Sequence, residues 1–180
     1  GTAPNIVPDK AAVWYYVRGA SRPTIEETYA RLVKVAEGAA HMTETELEIE
    51  FLGGCYPTMG NETISAVAAE QLAAIGPVQW TEEELKFAEE LNTKSSQYEQ
   101  VKATGALENG PLATNTLGVT HGFGYGSTDV GDVMHIVPTI FIGTDTYNLA
   151  APGHSWQITA CAGMSIGYKG MLLGAKALAA

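Results

Sequence analysis

Cysteine is scarce in this 180-residue chain: Cys55 and Cys161 are the only two, far apart. Without a C-x-x-C or Cys/His spacing, a structural zinc site is not expected. The two thiols read as free and buried in a reducing compartment, with a disulfide between them left open. Basic residues are few as well. Ten Lys and Arg face twenty Asp and Glu, for a net charge of −10. Nucleic acid and anionic membrane both need a basic face, so neither is expected as a partner. No apolar run reaches the ~18 residues of a membrane span, and no signal peptide is visible. A cytoplasmic location is therefore expected. What remains is 46% apolar and 17% charged, the balance of a globular chain of one domain or two small ones.

Hydrophobic spacing along the chain predicts mixed α/β (α+β) structure. Residues 11–18 (A-A-V-W-Y-Y-V-R) are β-branched and aromatic, and read as a strand. Pro23 opens a helix in which Ile25, Tyr29, Leu32, Val33 and Ala36 recur at helical spacing, ending over residues 38–41. Residues 43–51 alternate polar and apolar strictly, as a half-buried strand does. Strand, helix and strand so close together suggest part of a two-layer sandwich. Asn61 or Thr63 can cap a helix over 62–75, which Gly76 and Pro77 stop. Thr81 begins T-E-E-E-L, a capping-box pattern, and that helix runs through Leu91. Residues 104–125 are rich in Gly, Asn, Thr and Pro and read as a long loop over or beside a site. Residues 133–143 read as a buried strand, and residues 158–180 as a last, buried helix.

The chemistry concentrates in residues 126–157. G-S-T-D-V-G-D is a Gly-rich loop, and G-H-S-W-Q presents one histidine just before the last helix. His154 is placed to ligate a metal or act as a base, or else to cap the helix or bond a carbonyl. Asp129 and Asp132 could support a metal, orient a histidine or form Asx turns. Ser127 and Thr128 could donate to a bound carboxylate or merely cap, and no G-x-S-x-G elbow makes Ser127 a nucleophile. His135 reads as a satisfied core histidine and His41 as a solvated one; His121 flanks the loop. Arg18 closes an apolar strand, where a guanidinium either clamps a carboxylate or simply ends the strand.

Taken in order, A-P-N-I-V-P-D-K-A-A-V-W-Y-Y-V-R, F-L-G-G-C-Y, G-S-T-D-V-G-D-V, G-H-S-W-Q and S-I-G-Y-K-G-M resemble the aminoacylase/carboxypeptidase-type zinc amidohydrolases. The branch is that of the aminobenzoyl-glutamate utilisation proteins of the B-type subunit. The resemblance covers nearly the whole chain. It implies an α/β catalytic domain with two metal ions, usually zinc, and an inserted α/β lid that dimerises. It also implies hydrolysis of amides beside a carboxylate, such as N-acyl or aminobenzoyl-glutamate-like amides. By that resemblance His154 matches a metal ligand, Asn5 and Arg18 the lid residues that bind substrate, and Ser127, Thr128 and Asp129 the loop lining the site. Residues 1–55 then correspond to a partial lid. Residues 56–180 correspond to the C-terminal part of the catalytic domain, with a helix and the long loop over 81–125. The family's other metal ligands, its general-base glutamate and its lid histidine have no counterpart here, and Tyr168 stands where a histidine is expected. The resemblance therefore implies a C-terminal portion, inactive as an isolated chain, that forms a homodimer or joins a partner carrying the N-terminal half. The alternative is a non-catalytic dimerisation or carboxylate-binding module.

Overall fold

The computed structural model describes residues 3–114, 118–122, 124 and 126–180. The element order is α1 (Arg22–Thr43), α2 (Glu62–Ile75), α3 (Glu82–Thr93), α4 (Tyr98–Ala103), α5 (Val130–Met134), α6 (Trp156–Ala162) and α7 (Ser165–Ala179). The chain divides into two compact units. One comprises Gly1–Met59 with Phe123–Val137, the other Gly60–Gly122 with Pro138–Ala180.

In the first unit, α1 starts where Ser21 accepts a hydrogen bond from the Thr24 backbone N–H at 3.4 Å, with proline in the first turn. Its first turn carries an Arg22–Glu26 ion pair at 2.6 Å. It ends at Glu44, whose φ of 53° leaves the helix in a left-handed step. None of its residues is buried. The loop over residues 56–59 is clamped onto α5 instead. The Tyr56 backbone N–H donates to Asp132 Oδ1 at 3.0 Å, and the Met59 N–H to Met134 Sδ at 3.2 Å. A His135 ring nitrogen lies 3.2 Å from Pro57 O. Gly131 permits this approach, since a Cβ there would overlap the Tyr56 carbonyl.

The second unit has its own core of Ala88, Leu91, Leu112, Cys161 and Ile166, flanked by Trp80, Leu85, Phe87 and Met164. Asn61 caps α2 by accepting from the Ile64 N–H at 3.1 Å. Thr81 and Glu84 form the expected capping box on α3. Both α2 and α6 pack against α7. Gly170 lets α7 close on the 145–146 loop, where a Cβ would overlap the Asp145 carbonyl. No helix among the described residues is long and apolar enough to cross a membrane.

The α/β expectation is overturned: the described residues form helices and irregular segments, with no strand or sheet. Residues 11–18 and 45–51 run without helix but without a ladder partner. Their apolar side chains stay in solvent, with Trp14 70% and Phe51 70% exposed. A period-2 pattern tells which face of a strand would be buried, but a strand exists only with a neighbour to share its N–H and C=O groups. The third expected strand, 133–143, begins as α5. Thr128 Oγ1 accepts from the Val130 N–H at 3.3 Å and Asp129 O from the Asp132 N–H at 3.0 Å, so turn chemistry starts a helical turn that the apolar run joins. The last helix is two, since the chain breaks at Gly163, the C-cap of α6. Much of α7 is exposed, and its buried residues are Ile166, Gly167 and Gly170. The short α4 gave no periodic signal. Of the loop expected over 104–125, residues 115–117, 123 and 125 lie outside the described residues.

Candidate functional site

Five of the six residues singled out by resemblance fall in the first unit. Asn5 is exposed, in a turn where the Ile6 N–H donates to Ala3 O at 3.2 Å. Arg18 is exposed, with its guanidinium 5.7 Å from the Tyr16 ring centroid, within cation–π range. Ser127 is exposed, and Thr128 is partly buried beside Asp129, its hydroxyl 3.4 Å from Asp129 Oδ1. Asp129 takes the N-cap position of α5 without a capping bond from its side chain. Asp132, by contrast, is committed to holding the 56–59 loop. His135 corrects its expectation as a core histidine: it is exposed, and its ring meets Tyr56 at a tilt of 52°, with 4.9 Å between centroids. The Arg22 guanidinium lies over the same Tyr56 ring, 5.0 Å from its centroid.

His154 lies in the second unit and is exposed. Its φ of 57° is left-handed, an uncommon backbone for any residue with a Cβ. Such conformations persist where the surroundings enforce them, often at functional sites. Beside it, between the end of α3 and the start of α6, lies a cleft of about 280 Å³ walled in part by Lys94, Ser96, Pro152, Ser155 and Trp156. Ser155 occupies the N-cap position of α6, yet its side chain makes no capping bond. Its Oγ is buried without a hydrogen-bond partner among the described residues.

Beneath this loop runs a buried amide network. Asn92 Oδ1 accepts from Asn148 Nδ2 and from the Ala150 N–H, each at 2.8 Å, while its Nδ2 donates to Pro111 O at 3.1 Å. Gln157 Oε1 accepts from Asn148 at 3.3 Å and its Nε2 donates to Leu91 O at 2.7 Å. Fully satisfied networks of this kind fix a single arrangement, here of the 148–157 loop that carries His154. The Cys161 thiol donates to Asn148 Oδ1 at 3.7 Å, and burial pushes its pKa up. Both cysteines are free, as expected, although Cys55 is exposed rather than buried. A second buried polar group, Glu84, accepts from the Thr81 N–H and from Lys169 Nζ, each at 2.7 Å. The Thr81–Glu84 capping box, Gln157 inside G-H-S-W-Q and Lys169 inside S-I-G-Y-K-G-M stood within signals legible in the sequence. Asn92 and Asn148 had none, because their partners are distant in the chain.

Among the described residues, no group of three or more His, Cys, Asp or Glu side chains converges as metal ligands do. The donor set around His154 does not by itself fit a zinc ion, since one imidazole does not repay the desolvation of the metal.

No family model matches the chain, and no solved structure does. The chain is 33% identical, over a 198-residue alignment that takes in its whole length, to the B-type subunit of p-aminobenzoyl-glutamate hydrolase from Escherichia coli (strain K12). It spans 41% of that relative's length. The resemblance carried by the short motifs is thereby borne out at full coverage of this chain.

Proposed function

From the membership of this chain in the amidohydrolase family of that p-aminobenzoyl-glutamate hydrolase subunit, we propose that it contributes to metal-dependent hydrolysis of N-acyl or aminobenzoyl-glutamate-like amides and turns over no substrate alone. The carrying observation is the 33% identity along the whole chain. In this reading Asn5 and Arg18 bind the substrate's carboxylate or carbonyl oxygen, and Ser127, Thr128 and Asp129 line the site. Zinc enters only through His154, as one donor toward a site whose other ligands come from outside the described residues. The chain works with a partner or a second copy, in the cytoplasm. The left-handed backbone of His154, anchored above a satisfied amide network, supports a role for that loop beyond packing.

The test is a chimera in which this chain replaces the aligned stretch of the relative. The chimera is expected to release p-aminobenzoate from p-aminobenzoyl-glutamate, and His154→Ala in it to abolish release at unchanged melting temperature. The isolated chain is expected to show none. A folded chimera without activity, or one indifferent to His154→Ala, would overturn the assignment; chelator-sensitive turnover by the isolated chain would overturn the claim of inactivity.

A further inference from the structure

The loop that carries His154 is tied at both ends to the last turn of α3 and the residues around it. On its near side the Ala150 N–H donates to Asn92 Oδ1 at 2.8 Å, Ser95 Oγ donates to Ala150 O, and the Leu149 N–H donates to Pro111 O at 3.0 Å. On its far side Gln157 Nε2 donates to Leu91 O at 2.7 Å. Asn148 joins the two ends. Its Nδ2 donates to Asn92 Oδ1 at 2.8 Å and to Gln157 Oε1 at 3.3 Å, and its Oδ1 accepts from the Cys161 thiol. Asn92, Asn148 and Gln157 are each 2% exposed or less, where an amide network fully paired fixes one arrangement.

Residues 151–156 are therefore a bridge that leaves Asn92 and returns to its neighbour Leu91. A bridge so short, with both ends on one helical turn, has to reverse direction, and the turn falls on Gly153 and His154. Pro152 cannot make a left-handed step, and glycine makes one at no steric cost. The step falls on His154 all the same, with φ 57°. The other described non-glycine residue at positive φ, Glu44, closes α1, its N–H bonded back to the Ala40 and His41 carbonyls. His154 closes no helix, so its conformation is imposed by the anchors on either side. We propose that Gln157 and Asn148, through Asn92, are positioning residues that hold His154 at the place and in the conformation from which it acts. The inference rests on the amide-hydrolysis reading for what His154 does, and it names what sets its geometry. Misplacement of a reacting group by about 1 Å costs about 100-fold in rate, so bonds that touch no substrate control turnover. The substrate contacts of that reading, Asn5, Arg18, Ser127, Thr128 and Asp129, take no part in the network, so the effect falls on kcat and not on KM.

The experiment releases one anchor at a time. Gln157→Met fills a similar volume without the hydrogen bonds, and it orphans no partner: Asn148 keeps Asn92, and Leu91 O keeps the Lys94 N–H at 3.1 Å. Ser95→Ala frees the near anchor at Ala150 O. Ile166→Val, in the core but outside the network, is the control for plain destabilisation. In the chimera described above, Gln157→Met and Ser95→Ala are each expected to lower kcat at least about tenfold with KM within about twofold, and Ile166→Val to leave both unchanged. In the 180-residue chain, the amide and Cα protons of His154 lie close together because φ is positive. Their intraresidue NOE is expected to be strong in the parent and in Ile166→Val, and weak in the two released variants. Unchanged kcat in both released variants, a rise in KM in place of the fall in kcat, an equal loss in Ile166→Val, or an undiminished NOE would overturn the proposal. An inactive parent chimera would overturn the amide-hydrolysis reading, and the NOE would then decide the positioning by itself.

Discussion

Replacing Lys169 by methionine is expected to destabilise the second unit by an amount that depends on pH. Glu84 is 3% exposed. Burial raises its pKa, but the hydrogen bonds from Lys169, Ser165 and the Thr81 N–H outweigh that and hold it at about 2, against an ordinary 4.5. A depressed carboxylate pKa contributes stability that is fully present above 4.5 and is lost as pH falls toward 2. At about 1.4 kcal/mol per pH unit of displacement, that contribution is roughly 2–3 kcal/mol once solvent screening at Lys169 is allowed for. The side chain of Lys169 is 33% exposed. Its loss at pH 7 strands a buried carboxylate, with a penalty of about 3–5 kcal/mol. At pH 2 and below, Glu84 is increasingly protonated in both proteins. The penalty there should shrink to about 1 kcal/mol, for the lost bond to Gln79 O at 2.8 Å and the contact over the Trp80 ring. Urea unfolding of parent and variant at a series of pH values reads the difference directly. An equal penalty at neutral and acid pH would refute this reasoning, because it would mean that Lys169 acts through packing and not as the counter-ion of Glu84.

Two further outcomes follow from the same architecture. Asn92→Ala leaves the Ala150 N–H without its partner and removes one bond each from the Asn148 amide, which keeps Gln157, and from the Pro111 carbonyl, which keeps the Leu149 N–H; a loss of about 3 kcal/mol in urea unfolding is expected, and a loss below about 1 would mean that water replaces the amide. In the native protein a thiol reagent should modify Cys55 quickly and Cys161 only on unfolding, since Cys55 is exposed while Cys161 is buried with a raised pKa; fast labelling of both would contradict the core around Ile166.

What could be seen in advance divides along a physical line. Helix caps are local, and Asn61, Thr81 and Pro23 announced their helices within a few residues of where they begin. The 62–75 helix was legible to its ends for that reason. Strands were not, because the alternation in 43–51 and the aromatic run in 11–18 specify a face and not a partner. Neither segment joins a ladder among the described residues. The break at Gly163 was hidden by an Ala-rich stretch with no competing signal of its own.

The same line separates the residues that carry the family resemblance from those that hold the fold. Asn5, Arg18, Ser127, Asp129 and His154 stand in irregular, exposed segments. Packing constrains side-chain identity least there, and a chemical role is the stronger reason for a particular residue. Asn92, Asn148 and Glu84 lie in none of the motifs read for chemistry, and they fix the loop and helices around His154. Lys169, in S-I-G-Y-K-G-M, is the instructive exception. Its ammonium group is engaged by Glu84 and Gln79, so a motif residue with the charge to bind substrate is already occupied in holding α7 to α3. A short motif therefore carries ancestry in all of its positions but chemistry only in those that the fold has not already engaged.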